Sequence, residues 1–577
     1  YEASIEYISQ KYDTRPTAER DTTKKYEIVD GYFVNEAPFN YWWKSDVSIG
    51  DGMFFGGHTS TSRDNTKISS TKFKISLTSQ VNFHNMIKTG FEFIYNDLDF
   101  DFGIVNLEFP ESNTWVKLRQ KPLQGAFYIQ DKLETKGFIL NAGIRLDYYN
   151  PNTSWPDVNP FDKTFFSANY NPDAEYPQKK VKSELQLSPR LGISHPITEN
   201  SKLFFNYGHF RQLPAFEDIF RMSRGAAKQM DIFGNPNLKT AKTISYELGF
   251  DQAILNTYLL QLAAFYHDIF DQYATTEYIN ADKSVIYNAA NNDSYEDVRG
   301  FELSFRKSTG RWWTGFANYT YRVSTSGYFG TRRIYEDPSE QRKYDLTTKE
   351  YYQYKPIPQP YARFNLNFFL PSKFGPEILG FKPFEKITAT LIGDWASGYW
   401  GTWNPRGLPG ISNNVHYKDW FDISLKINKR FIINKTDLVV FVEINNLLNT
   451  RRLNLNSFMD SHDEQFYFQS LHLPESNVYD NIPGNDRPGD YRKPGVSYQP
   501  IERVGSISDN LTGEQGVIYW ERTTGKYMEY VNGQWTEVDN SKIDRILKDK
   551  AYIDMPNMTS FNFLNPRRFT IGVRIDL

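Results

Sequence analysis

The chain has 577 residues, a formal net charge of −3 and no cysteine. Disulfides, thiolate metal sites and cysteine nucleophiles are therefore excluded, and no basic surplus marks the chain for nucleic acid. Mean hydropathy is −0.60 and there is no run of about 18 apolar residues, so no membrane-crossing helix is predicted. Yet aromatic residues make up 16% of the chain, with 39 Tyr and 44 Phe. Abundant Tyr and Phe at low mean hydropathy suit a transmembrane β-barrel, in which half of each strand faces water and aromatic girdles mark both interfaces. A large soluble β-sandwich or propeller fits the composition equally well, so the order of residues has to decide.

Along the chain the same two-residue period recurs. Ala3, Ile5 and Tyr7 alternate with Ser4, Glu6 and Ile8. Tyr1 thus begins inside a predicted strand, and the sequence is expected to start downstream of a natural amino terminus. In residues 136–150, Phe138, Leu140, Ala142, Ile144, Leu146 and Tyr148 share a face opposite Asn141, Arg145 and Asp147. In 243–251, Ile244, Tyr246, Leu248 and Phe250 oppose Ser245, Glu247 and Asp251. Residues 313–321 and 421–431 repeat the pattern, the latter with Lys426 and Arg430 on its polar face. The last segment ends the same way, with Phe569, Ile571, Val573, Ile575 and Leu577 against Thr570, Gly572, Arg574 and Asp576. A Lys or Arg facing lipid at the midplane costs about 2–4 kcal/mol. Charges kept to one face, strand after strand, are what that penalty predicts.

The connections alternate too. Short turns are predicted near 84–85, 134–136, 198–201, 255–257, 308–311 and 433–435, with a medium one at 371–384. Long polar loops are predicted at 13–67, 102–114, 151–182, 213–240, 272–296, 324–359, 398–417 and 451–565. Short turns on one rim and long loops on the other mark an outer-membrane barrel. A propeller would show an internal repeat of about 40–50 residues, and none is visible. The predicted fold is all-β: antiparallel strands only, about 16 in this chain, with no soluble core domain. That count fits a complete porin-like barrel or the C-terminal part of one with about 22 strands. The last strand runs down to the short-turn side, which places the C-terminus in the periplasm and the long loops outside.

Within those loops, residues 541–552 read as a short amphipathic helix lying on the barrel mouth, started by Ser541 with Asp544 as a capping box. Pro214 can open one helical turn. Tyr41, Trp42 and Trp43, and likewise Trp400 and Trp403, can stack on a sugar or planar ligand, or pack as rim anchors. Arg211 can point into the lumen toward ligand or plug, or simply be solvated. Asp460, His462, Asp463 and Glu464 offer oxygen and imidazole ligands to a divalent cation, or form a solvated loop. No nucleotide, hydrolase or metalloprotease motif appears. No enzyme activity and no cofactor are expected.

Four segments resemble the barrels of TonB-dependent outer-membrane receptors of the Bacteroidetes type. They are FNYGHFRQLPAFEDIF (205–220), GNPNLKTAKTISYELGF (234–250), VEINNLLNTR (442–451) and the closing FLNPRRFTIGVRIDL (563–577). Thr240 and Ala241 stand where the family usually has Pro and Glu, and Leu577 where many outer-membrane proteins end in Phe. The family's plug domain and TonB box have no match, and nothing resembles the SusC subgroup. The resemblance implies the barrel portion of a receptor for TonB-dependent uptake of a scarce solute such as a siderophore, oligosaccharide or peptide. The implied partners are outer-membrane lipid, the TonB–ExbB–ExbD system acting through the plug, and a surface lipoprotein or other envelope protein. A passive porin-like channel and a structural or docking barrel are the alternatives.

Overall fold

Lipid offers no hydrogen-bond partner to a backbone, so a strand that crosses it must find one in the next strand. The computed structural model describes residues 1–14, 62–105, 113–225, 227–348, 356–378, 380, 382–404, 411–433, 436–450, 499–508, 511–548 and 566–576, with a few short strands between them. Sixteen long strands form its wall. They are β1 (Glu2–Lys11), β2 (Lys67–Gln80), β3 (Asn85–Ile104), β4 (Leu123–Glu134), β5 (Ile139–Asn150) and β6 (Glu184–Thr198). Next come β7 (Ser201–Gln212), β8 (Ala241–Ile254), β9 (Tyr258–Ile279), β10 (Ile286–Lys307) and β11 (Trp313–Tyr328). The last five are β12 (Tyr361–Leu370), β13 (Ile387–Ala396), β14 (Trp420–Ile433), β15 (Thr436–Asn445) and β16 (Arg568–Asp576).

Each wall strand pairs antiparallel with its neighbour in the chain. The whole sheet has 22 strands, because short pieces from the connections extend it. Those 22 are not 22 wall strands. Among the described residues no helix is long and apolar enough to cross a membrane, which says nothing against crossing by strands.

The register separates two faces. One row across β1 to β6 reads Ala3, Ile75, Phe91, Phe127, Leu146, Leu187. The adjacent row reads Ser4, Lys74, Glu92, Ala126, Asp147, Gln186. Phe127 is 48% exposed and Leu187 56%, so the apolar row covers no protein core. It is the lipid face; the polar row lines the lumen.

Local chemistry sets the short turns. The Asn82 side chain accepts from the backbone N–H groups of His84 (2.8 Å) and Asn85 (2.9 Å). Thr135 Oγ1 accepts from Phe138 N–H at 3.1 Å. Leu255 and Asn256 both have φ of 52°, the left-handed pair at the centre of a type I′ turn, which Thr257 N–H closes by donating to Ile254 O at 3.1 Å. Gly249 lies across the ladder from Phe204, and a Cβ there would stand 2.1 Å from the Phe204 ring. The ring thus covers the glycine, a known device for holding register.

Three expectations change. The predicted loop 272–296 is mostly strand: β9 and β10 continue past register shifts near Gln272 and leave only 280–285 as the connection. The run from Tyr273 to Ile279 is rich in β-formers, but it carries no clean alternation because both its faces lie beyond the lipid. Pairing is not antiparallel throughout either. Parallel pairs join Ile232–Phe233 to Asn288–Ala289, residues 277–279 to 333–335, and Ile501–Val504 to Ile518–Glu521.

The predicted loop 451–565 also contains a small folded unit. Its four strands are Ile501–Val504, Ile518–Glu521, Lys526–Val531 and Gln534–Glu537, followed by the helix Asn540–Lys548. Ile501, Ile518, Val538 and Ile543 form its core, with Trp520, Tyr527 and Ile546 around it. The helix packs on this sheet, and Asp539 caps it: Asp539 Oδ1 accepts from Ser541 N–H at 2.7 Å. Hydrogen bonds from Ser541 hold the Asp539 carboxyl below its ordinary range. Ser541 lies two residues later, already inside the helix, and so cannot cap it.

The face assignment predicts opposite responses to one charge. Ile144→Arg on the lipid face should cost about 2–4 kcal/mol of stability. Asn141→Arg, three residues away on the luminal face, should cost about 1 kcal/mol or less. Urea unfolding in lipid vesicles reads both; equal losses would overturn the assignment.

Candidate functional site

The long connections of β3 to β10 pack together. Leu98 and Phe100 at the top of β3 and Tyr149 of β5 are buried under Trp155, Val181, Ile219, Phe220 and Leu238. The short helix Phe216–Phe220 brings Ile219 and Phe220 into that core. Leu98 and Phe100 share the parity of Glu92, so the loop after β7 covers part of the luminal face. Beside this core, Phe165 and Phe166 pack with Met230, Val285 and Tyr287. Phe166 stacks on Tyr287 at 4.1 Å, and Tyr287 on Tyr278 at 5.2 Å. The Arg224 guanidinium lies 3.5 Å from the Tyr170 ring centroid and donates to Phe165 O at 2.7 Å. Four connections thus share one apolar cap.

Polar clamps fix the cap to the strands. Asn235 Oδ1 accepts from Asn237 N–H (3.0 Å), and Asn235 Nδ2 donates to Ala290 O (3.0 Å). Asn292 accepts from Lys239 N–H (2.8 Å) and donates to Lys239 O (3.1 Å). Thr240 donates its N–H and hydroxyl to Glu184, at 3.0 and 3.2 Å. The GNPNLKT stretch is therefore a loop-to-strand connector, and Thr240 has its own partner in Glu184. Gly234 is required there, since a Cβ would come within 2.6 Å of Ile219 O. On the far side, Lys163 pairs with Asp282 at 2.5 Å and ties the 163–166 helix to the β9–β10 turn.

Below the cap the luminal wall is a ladder of paired charges. Lys72 meets Glu92 at 3.1 Å, and Arg145 meets Asp147 at 2.7 Å and Glu92 at 3.9 Å. Asn206 donates to Glu247 at 3.0 Å. A cleft of about 540 Å³ runs along this wall past Arg145, Arg190, Asn206, Phe210 and Glu247. Arg190 lies 4.7 Å from the centroid of the Phe210 ring. Above it, a cavity of about 110 Å³ is lined by Glu92, Arg145, Asp147, Tyr149, Glu184 and Arg211. Such a surface presents hydrogen-bonding and charged groups to the lumen.

The candidate residues fall in different places. Arg211 lines the 110 Å³ cavity. Trp400 sits in a hairpin beyond β13, 4.7 Å from the His416 ring, and lines a separate recess of about 330 Å³ with Arg322, Gln359, Tyr361 and Tyr399. Trp403 is 1% exposed, so its ring offers no face to a solute. Its backbone exchanges hydrogen bonds with the Asn414 side chain at 2.8 and 3.0 Å. Arg211 and Trp400 therefore do not share a site. Tyr41, Trp42, Trp43, Asp460, His462, Asp463 and Glu464 lie outside the described residues. Among the described residues no group of three His, Asp or Glu side chains could hold a metal. Tyr149 and Glu184 escaped the sequence reading. Period two marks Glu184 as luminal, but nothing local pairs it with Thr240, 56 positions away.

An apolar outer face, a charged inner wall and a packed cap of loops on one rim define a transmembrane β-barrel of the outer-membrane kind. Residues 8–447 match the family described as TonB dependent receptor-like, beta-barrel, and the chain belongs to that family. Membership implies the outer membrane as its location. No curated protein matches the sequence. Similar solved structures include the outer membrane transporter YddB from Escherichia coli, with 13% identity, TM-score 0.45, and 70% of this chain and 54% of that chain covered. The FrpB iron transporter from Neisseria meningitidis gives 15%, 0.43, 67% and 52%, and the copper transporter OprC 14%, 0.42, 68% and 52%. The chain spans about half the length of these proteins.

The Lys163–Asp282 pair predicts that docking of the 163–166 helix depends on pH. Hydrogen bonds from Lys163, then from Ser284, hold the Asp282 carboxyl well below its ordinary range. A depressed carboxyl contributes stability above its unfolded pKa of about 3.9 and loses it as pH falls through the folded value. Docking of the 163–166 helix should therefore be constant from pH 7 to about 4.5 and weaken below. Hydrogen exchange at Phe165 and Phe166 measures it. In Asp282→Asn, exchange should be faster at pH 7 and lose this acid dependence.

Proposed function

We propose that this barrel is the wall of an outer-membrane receptor that takes up a scarce solute by TonB-dependent active transport. The observation that carries the reading is the paired-charge luminal wall lying under a packed loop cap, on a barrel of this family. A cap whose apolar core reaches onto the luminal face narrows the passage that an open channel would need. The solute is held by the cap and upper wall, and TonB–ExbB–ExbD supplies energy through a plug that rearranges to open the lumen. The long-loop rim faces outward and the C-terminus faces the periplasm. Arg211 and Trp400 are the proposed contacts in the described wall; Tyr41, Trp42 and Trp43 are proposed from the outward loops. Trp403, being buried, would act by holding its hairpin. The role is binding and transport, with no chemical step.

Cells carrying the intact receptor should accumulate its solute from a nutrient mixture, followed by mass spectrometry, and lose that uptake when TonB is removed. Uptake unchanged without TonB, together with a steadily open conductance in planar bilayers, would establish the passive channel instead. Removing most of residues 451–565 should leave a folded barrel that no longer captures solute. Unchanged uptake would assign that segment to packing or to a partner.

A further inference from the structure

The 110 Å³ cavity beneath the loop after β7 contains hydrogen-bond donors with nothing to donate to. Tyr149 is 6% exposed, and its hydroxyl is buried without a hydrogen-bond partner. Arg211 Nε is likewise buried and unpartnered, and no carboxylate pairs with Arg211 among the described residues. Both side chains line this one cavity. A buried donor left unpaired costs about 1–3 kcal/mol, and more when it is charged, so two at one point call for an occupant.

The acceptors around them are already engaged. Asp147 accepts from Arg145 at 2.7 Å. Glu92 pairs with Lys72 at 3.1 Å and with Arg145 at 3.9 Å. Glu184 accepts from Thr240 and, at 2.5 Å, from Gln186. What the cavity lacks is a further acceptor, free to take hydrogen bonds from Tyr149 and Arg211.

We propose that Arg211 and Tyr149 form a subsite for a carboxylate group of the solute, closed from above by the loop that follows β7. A guanidinium presents a planar fork that matches a carboxylate, and a phenolic hydroxyl adds a third donor. The volume admits a carboxylate and the few atoms next to it, and the remainder of the solute lies in the adjoining cleft along Arg190 and Phe210. With Lys72 counted, three cations already balance Glu92, Asp147 and Glu184. One further negative charge disturbs that balance less than the two of a phosphate, which selects the carboxylate. The assignment rests on the uptake reading only in calling the occupant a solute.

Saturation-transfer NMR on the purified full-length receptor in detergent tests it, with acetate, its neutral isostere acetamide, and methyl phosphate as probes. Acetate should receive saturation and acetamide should not. Arg211→Gln should weaken acetate binding about tenfold, the loss of a charge-assisted hydrogen bond, and Tyr149→Phe about threefold. Arg211→Lys, which keeps the charge, should retain part of the binding. It also guards against misfolding, as does heat-modifiable migration of each variant in SDS gels. Equal signals from acetate and acetamide would leave only water in the cavity and overturn the proposal. So would methyl phosphate binding better than acetate, or Arg211→Gln leaving acetate unchanged. TonB dependence is read separately in cells, so each reading can fail without the other.

Discussion

Every feature of this molecule depends on the strand ladder having to satisfy its own backbone in lipid. Along the wall each strand pairs antiparallel with its neighbour in the chain, which keeps contacts local and lets short turns close one rim, with only the 371–386 connection longer. The period of two then does the sorting. Apolar side chains meet lipid, where a charge is penalised, and polar ones meet the lumen. A shift of one residue would exchange the faces. Cross-strand rings over glycines, as at Phe204 over Gly249, make such a shift sterically expensive.

At the long-loop rim the logic reverses. Beyond the lipid the chain must bury apolar surface as a soluble protein does, and it collects that surface from four separate connections. Trp155, Phe165, Phe220 and Tyr287 are each almost wholly buried there. The Asn235, Asn292 and Glu184 clamps satisfy backbone groups that no ladder reaches. The small unit at 501–548 solves the same problem by itself, with a sheet and one helix around Ile518 and Ile543.

The two rims meet at the upper luminal wall, and this is where the chemistry lies. Arg145 is fully committed to Asp147 and Glu92, so it stiffens the wall. Arg211, one turn below the loop, is not committed. The distinction between a cation that builds the site and one that serves it is made by neighbours on other strands. Either residue alone would look like an ordinary luminal arginine.

The sequence by itself determined the wall. The alternation at 136–150, 243–251 and 568–577, and the rhythm of short and long connections, give the strands, their faces and the rim each loop belongs to. Alternation is local, and the lipid enforces it residue by residue. Only the tertiary structure decided the rest. That β9 and β10 run on past Gln272, that Asp539 rather than Ser541 caps the helix, that Trp403 is sealed in its hairpin and that Glu184 holds Thr240 all depend on what another segment places alongside. Arg211 was legible as a luminal candidate. That it shares a cavity with Tyr149, and that the carboxylates there are already taken, was not. Charges and hydroxyls pair across strands far apart in sequence, and no periodicity records which of them is left without a partner.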